Sequence, residues 1–308
     1  MTITKRIAVV GIGGVGGYLA AMIGKVCPEL TLVARGSRLD DISKNGINLQ
    51  SEYKGAAQLK ARAVTADQMG KQDIVFICVK NYSLQEVCRE ISPFIDSETI
   101  VVPVMNGVEP GDKVREYLPK AKVIDALIYI VAFAGENGLV VQQGNFARMC
   151  IGIKKKYPFD REILGLVYFI LSQSDIDASV SDDIEVEIWR KYILNCAYNV
   201  STACYNYNIG QLKADLQKAQ EYESLVYEAA SVAVALGVAI TQEHIDAIIH
   251  RFYYEQKDDA TSSMQRDIVA GRPSELETFS GYIVREAKRL GLEVPVSNKM
   301  YELLRGVR

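Results

Sequence analysis

Residues Gly11–Gly17 read GIGGVGG, and how the N-terminal half of the chain folds turns on them. Before them lies a short apolar run, Arg6–Val10 (RIAVV), and after them Tyr18–Lys25 has the composition of a helix. Strand, glycine turn, helix is the opening of a dinucleotide-binding βαβ unit. Gly11, Gly13 and Gly16 have the G-x-G-x-x-G spacing. The first glycine permits a tight turn, the second lets backbone approach a pyrophosphate, and the third lets helix and strand pack closely. The helix N-terminus adds unpaired N–H groups and the positive end of its dipole. Gly11, Ile12, Gly13, Gly14, Val15 and Gly16 are therefore candidate cofactor-binding residues. The alternative is a tight turn that binds nothing.

Further along, Leu30–Ala34 (LTLVA) reads as the second strand. An NAD-binding unit places an acidic residue at this corner, where it accepts the ribose 2′-hydroxyl. This chain has Arg35, followed by Arg38. A cation there suits a 2′-phosphate, which points to NADP; a surface arginine ending a strand is the plainer reading. Asp73–Val79 (DIVFICV) and Ile100–Val104 (IVVPV) are nearly continuous apolar runs, as parallel strands buried on both faces should be. The first ends in Lys80-Asn81 and the second in Met105-Asn106-Gly107. Ligands of open parallel sheets sit beyond the carboxyl ends of the strands. The glycine loop, Arg35, Lys80 and Asn106 all fall at such ends and outline one crevice. Val123–Ala134 and Leu139–Gln143 read as a hairpin that extends the sheet, with a separate strand at Met149–Ile153. Asp160–Gln173 reads as a helix and Asp177–Val180 as a short strand.

Beyond residue 180 no strand pattern remains. Five helices are expected, at Asp182–Tyr205 (after a Ser181-Asp182-Asp183 cap), Lys218–Leu236, Gln242–Tyr254, Ser274–Leu290 and Pro295–Leu304. The expected architecture is α/β, with a Rossmann-like NADP-binding domain over 1–180 and an all-helical domain over 181–308. Within the first long helix, Ile188–Tyr205 is apolar almost all round, the mark of a buried helix. It nonetheless carries Lys191, Asn195, Asn199 and Thr202, which at about 100° per residue fall on one stripe. Burying an unpaired charge or amide costs several kcal/mol, so the stripe needs partners. One reading is an interhelical hydrogen-bond seam, with Lys191 tied to Glu187 one turn back. The other is a cleft wall facing the nicotinamide, where a partly buried lysine acts as general acid. Thr261–Leu276 (TSSMQRDIVAGRPSEL) is a second polar constellation. Ser263 and Glu275 are its candidates, although each is also an ordinary residue for the start of a helix.

Bulk properties narrow the function. The 308 residues carry a net charge of −3, with 49% hydrophobic and 24% charged residues. That balance argues against a nucleic-acid partner, which calls for a basic excess. The opening MTITKRIAVVG runs straight into the first strand and leaves no room for a signal peptide, and no apolar run reaches membrane-spanning length. The six cysteines are scattered without a CxxC, which reads as reduced thiols in a cytoplasmic protein. The two histidines, His244 and His250, are spaced wrongly to share a metal, so no metal site is expected.

Taken together, GIGGVG at 11–16, Arg35, Val79-Lys80, Asn106-Gly107, W-x-K-x-x-x-N-x-x-x-N at Trp189–Asn199 and SSM…D…G…SE at Ser262–Glu275 resemble the ketopantoate reductases (2-dehydropantoate 2-reductases) over nearly the whole chain. The resemblance implies a cleft between the two domains that holds NADPH and a 2-oxo acid, and reduction of 2-dehydropantoate to pantoate on the route to coenzyme A. It implies Lys191 as general acid and Glu275 as a catalytic-site residue that hydrogen-bonds in the same site and helps hold cofactor or substrate. Asn106, Asn195, Asn199 and Ser263 would bind substrate, with Asn106 also against the nicotinamide. Gly11–Gly16, Arg35 and Lys80 would hold NADPH. A monomer or a homodimer fits. Family members commonly have Asn-Pro where this chain has Asn199-Val200, and many have Asn where it has Ala260. These departures keep a different 2-oxo acid open as substrate, including opine-like reductive amination, and beside it a non-enzymatic NADPH-binding sensor.

Overall fold

The computed structural model describes residues 2–306, which divide into two compact units, one up to Ile184 and one from Glu185 onward. The first unit opens with β1 (Ile7–Val10), α1 (Gly14–Ile23), β2 (Thr31–Val33) and α2 (Gly36–Asn45). The short strands β3 (Ile47–Ser51), β4 (Gly55–Leu59) and β5 (Arg62–Val64) follow. Next come β6 (Ile74–Ile77), α3 (Leu84–Ile91), β7 (Ile100–Pro103), α4 (Pro110–Tyr117) and β8 (Lys122–Val123). The unit closes with β9 (Asp125–Ala134), β10 (Leu139–Gly152), α5 (Arg161–Gln173) and β11 (Asp177–Val180).

Six strands form an all-parallel sheet in the order β5-β2-β1-β6-β7-β8. Its central strands are buried at every position, IAVV in β1 and IVFI in β6, which is why they lack an alternating pattern. One face packs on α3 and α4 through Val10, Ile77, Leu84, Val87 and Val114. The other face packs on α1, whose residues from Gly16 to Ile23 are all buried.

That complete burial has a cause outside the parallel sheet. The β9–β10 hairpin does not extend it. It forms a second, five-stranded sheet with β3, β4 and β11 that covers the far side of α1. β9 runs antiparallel to β10 along one edge, while the other edge of β10 pairs in parallel first with β3 and then with β11. Helix α1 is thus sandwiched between two sheets, and its apolar surface all round matches that position. Met149 to Gly152 belongs to β10 itself: an irregularity between Gln143 and Arg148, with Gly144 at φ +80°, bends one continuous strand.

The second unit is helical: α6 (Ile184–Tyr205), α7 (Ile209–Ala214), α8 (Leu216–Ala235), α9 (Gln242–His250), α10 (Ser263–Val269), α11 (Tyr282–Leu290) and α12 (Pro295–Arg305). No strand occurs after Val180 among the described residues. Ser181 Oγ accepts the Asp183 N–H at 3.0 Å just before α6 begins. The expected Ser274–Leu290 helix starts later, with a π-helical turn at Glu277–Gly281 ahead of α11. Tyr192 of α6 holds that turn: its hydroxyl donates toward the Thr278 and Phe279 carbonyls at 2.7 and 2.9 Å, and its ring lies edge-on to Trp189 and Tyr282.

Candidate functional site

In the first unit, β2, β1, β6 and β7 are neighbours and parallel. Arg35, the glycine loop, Lys80 and Asn106 follow these four strands, so they stand side by side along one sheet edge over roughly 15 Å. Each glycine of the loop has a distinct geometry. Gly11 sits at φ +92°, and a Cβ there would meet Val79 Cγ1 at 2.8 Å. A Cβ on Gly16 would lie 2.0 Å from the Gly11 carbonyl oxygen, so helix and strand touch backbone to backbone. Gly13 faces open space and is exposed at the N-cap of α1, where no side chain caps the helix. Bare N–H groups beside an uncrowded glycine form the cradle a pyrophosphate needs, so these residues fit a dinucleotide. Gly14 and Gly17 lie outside the motif and answer to the second sheet: a Cβ on Gly14 would fall 2.3 Å from the Ala132 carbonyl, and one on Gly17 2.5 Å from Val140.

The loops at this edge are braced. Asn81 Nδ2 donates to the Asn106 carbonyl at 2.9 Å, joining the turns after β6 and β7. Lys154, buried beyond the end of β10, donates from Nζ to the Val108 carbonyl at 3.0 Å and pairs with Asp112 at 2.8 Å. Arg38 donates to the Ile12 carbonyl at 2.8 Å and to the Gly135 carbonyl at 3.0 Å, pinning the glycine loop to the hairpin turn. Nothing in the sequence marked Arg38 or Lys154 for these roles, because their acceptors are carbonyls remote in sequence. Arg35 pairs with Glu86 at 2.6 Å and lies 3.3 Å from Ser83 Oγ.

In the second unit, the α6 stripe divides in two. Its C-terminal part is a hydrogen-bond seam. Asn199 is buried; its Oδ1 accepts from Ser263 Oγ and from the Met264 N–H, each at 3.3 Å, and its Nδ2 donates to the Asn195 carbonyl at 3.2 Å. Thr202 Oγ1 lies 2.7 Å from Ser262 Oγ, which in turn caps α10 by accepting the Gln265 N–H. Asn199 and Thr202 therefore grip the first turn of α10, and Ser263 is tied to Asn199.

The N-terminal part of the stripe carries the charge. Lys191 is half-buried. Burial pulls its ammonium down to about 8, and the negative charge of Glu275 works against that fall. Glu275 is itself buried and lies just before the π-helical turn, where its carbonyl accepts the Thr278 and Phe279 N–H groups. It does not sit in a helical first turn. Glu187, the partner one turn back, pairs with Arg190 at 2.9 Å. His244 belongs to the capping box at Thr241, and His250 lies exposed beside Glu255. Among the described residues no group of three or more His, Cys, Asp or Glu could hold a metal ion, and no helix is long and apolar enough to cross a membrane.

The chain that builds this parallel sheet with a glycine cradle at its edge, and then helices carrying a half-buried lysine, matches two family models. Residues 7–155 match the ketopantoate reductase PanE/ApbA model, and residues 183–308 match its C-terminal model. The chain belongs to the ketopantoate reductase PanE/ApbA family. It is an oxidoreductase of that family, with an α/β Rossmann-like N-terminal domain and a helical C-terminal region. Among its relatives is an uncharacterized oxidoreductase, YkpB, of Bacillus subtilis, 27% identical over 96% of each chain. A PanE/ApbA family ketopantoate reductase from Ralstonia eutropha superposes with a TM-score of 0.88 at 26% identity, covering 98% of this chain and 97% of that one. D-mandelate dehydrogenase, solved with NADH and anilino(oxo)acetate, superposes with a TM-score of 0.87 at 21% identity, covering 98% and 97%; that likeness is one of fold. The ketopantoate reductase family thus shares its fold with an enzyme of a different name.

Proposed function

We propose that this chain is an NADPH-dependent reductase of 2-dehydropantoate, forming pantoate. The observation that carries this reading is a half-buried lysine, Lys191, on the apolar helix α6 of a chain that matches the family over both halves; burial brings its ammonium down to about 8, and the negative charge of the buried Glu275 opposes that fall. A ketone that gains a hydride becomes an alkoxide, and completing the alcohol takes one proton. Lys191 Nζ supplies that proton, and its positive charge polarises the carbonyl beforehand. Glu275 keeps the lysine charged in a site whose burial favours the neutral amine. When bound at the sheet edge, a nicotinamide dinucleotide would supply the hydride. Gly11, Ile12, Gly13, Gly14, Val15 and Gly16 would hold its pyrophosphate, Arg35 its 2′-phosphate, Lys80 the cofactor at a neighbouring strand end, and Asn106 the nicotinamide end. Asn195 takes a substrate oxygen directly. Asn199 and Ser263, tied to each other, set the wall against which the substrate carboxylate and hydroxyl rest.

A second reading, reduction of another 2-oxo acid, is favoured by one observation. The Asn199 oxygen is already shared between Ser263 Oγ and the Met264 N–H, which leaves its amide less able to bind substrate. A coupled assay with 2-dehydropantoate and a panel of 2-oxo acids, run with NADPH and then NADH, separates the two. The first reading expects 2-dehydropantoate to give the highest kcat/KM and NADPH to be preferred. Poor turnover of 2-dehydropantoate beside good turnover of another acid favours the second. Tight NADPH binding with no turnover of any 2-oxo acid would point instead to a sensor.

A further inference from the structure

Where NAD-binding units have an acidic residue at the end of the second strand, this chain has Arg35; the structure returns a carboxylate to that corner from elsewhere. Glu86, 51 residues later in the first turn of α3, places Oε2 2.6 Å from Arg35 Nη1, and Ser83 Oγ lies 3.3 Å from Nη2. Arg35 follows β2 and Glu86 follows β6, with β1 between those two strands, so the pair reaches across the end of the strand that feeds the glycine loop. We propose that Glu86 is a specificity-determining residue for the cofactor, an inference that rests on the dinucleotide reading of this edge.

The chemistry follows from charge and donor count. A 2′-phosphate has acceptors only, so it needs the Arg35 guanidinium and is repelled by Glu86. A ribose 2′-hydroxyl has a proton to give, and a carboxylate is its natural acceptor. Glu86 thus competes with the phosphate for Arg35 and offers the hydroxyl a partner. One corner then holds both the cation that suits NADPH and the carboxylate that suits NADH, and Glu86 narrows the preference that Arg35 alone would give. Both side chains are exposed, so their ion pair contributes little to folding and is free to exchange partners.

The test is calorimetric titration of the full chain with NADPH and with NADH, for the unaltered protein and for Glu86→Gln, with Glu86→Ala as a second variant. The ratio of the NADH Kd to the NADPH Kd should rise about two- to fivefold in both variants, the size of losing one exposed charge pair. Equal weakening of both cofactors with a fall in Tm, or an unchanged ratio, overturns the proposal and leaves dinucleotide binding standing. Failure of either cofactor to bind the unaltered protein overturns both.

Discussion

Lys191 and Glu275 are linked by charge from two separate segments of the helical unit, one within α6 and one in the turn before α11. Burial lowers the lysine to about 8 and the glutamate limits the fall. A general acid must enter the reaction protonated. With a lysine near 8, kcat/KM for the 2-oxo acid should be level at lower pH and decline by about tenfold per pH unit above that value. Glu275→Gln removes the charge that supports the ammonium, so the alkaline limb should move to lower pH. A pH–rate series on the two proteins checks this; an unmoved limb in the variant would separate Glu275 from Lys191.

The same lysine affects stability. Its folded pKa lies below the usual lysine value, so burying the charged form carries a penalty that is full below about 8 and is relieved as pH rises from there toward the unfolded value.

Asn199 has a structural task whatever it does for substrate. Asn199→Ala leaves the buried Met264 N–H without its acceptor and frees Ser263. The expected cost is about 1–3 kcal/mol of unfolding free energy, read by urea denaturation. A residue that served substrate alone would change KM and leave the denaturation midpoint in place.

Gly13 and Gly14 are adjacent and should behave oppositely. Gly13→Ala meets no atom within 4 Å, so stability should hold within about 0.5 kcal/mol while the NADPH Kd rises, because the methyl occupies the pyrophosphate approach. Gly14→Ala drives a Cβ to 2.3 Å from the Ala132 carbonyl, and backbone must move. That variant should lose about 1–3 kcal/mol, the usual cost of overpacking. Melting curves and NADPH titrations on both variants check the contrast.

Acid should act on the first unit through Asp112. Burial raises its pKa, but Lys154, the Tyr157 hydroxyl and Lys156 outweigh that and hold the carboxyl below the usual aspartate range. A depressed carboxyl contributes stability that is present above its unfolded pKa and is lost as pH falls through the lower folded value. Unfolding measured downward from about pH 4 should therefore show an acid limb that Asp112→Asn flattens.

The parallel sheet was legible because its strands are buried on both faces and end in glycine or polar residues: IAVV before Gly11 and IVFI before Lys80-Asn81 announce themselves. The second sheet was not. β3 and β4 are short and polar (INLQS, GAAQL); β4 pairs with β3, and the place of β3 depends on pairing with β10 some 90 residues later. Only the packing of α1 demands them, and Gly14 and Gly17 were its trace in the sequence. The α6 stripe could be read from periodicity, but not its division. Which part is seam and which part carries the reactive charge depends on Ser263, Met264 and Glu275, more than 60 positions away. Arg35 was visible as a cation in place of an acid, whereas its partner Glu86 became visible only once α3 was packed.

The most direct measurement of the central claim compares Lys191→Ala with the unaltered chain for NADPH oxidation by 2-dehydropantoate, alongside the NADPH Kd of each. With Lys191 as proton donor, kcat should fall by about 10²–10⁴-fold while the NADPH Kd stays within about twofold. Turnover that survives the substitution unchanged would contradict the account.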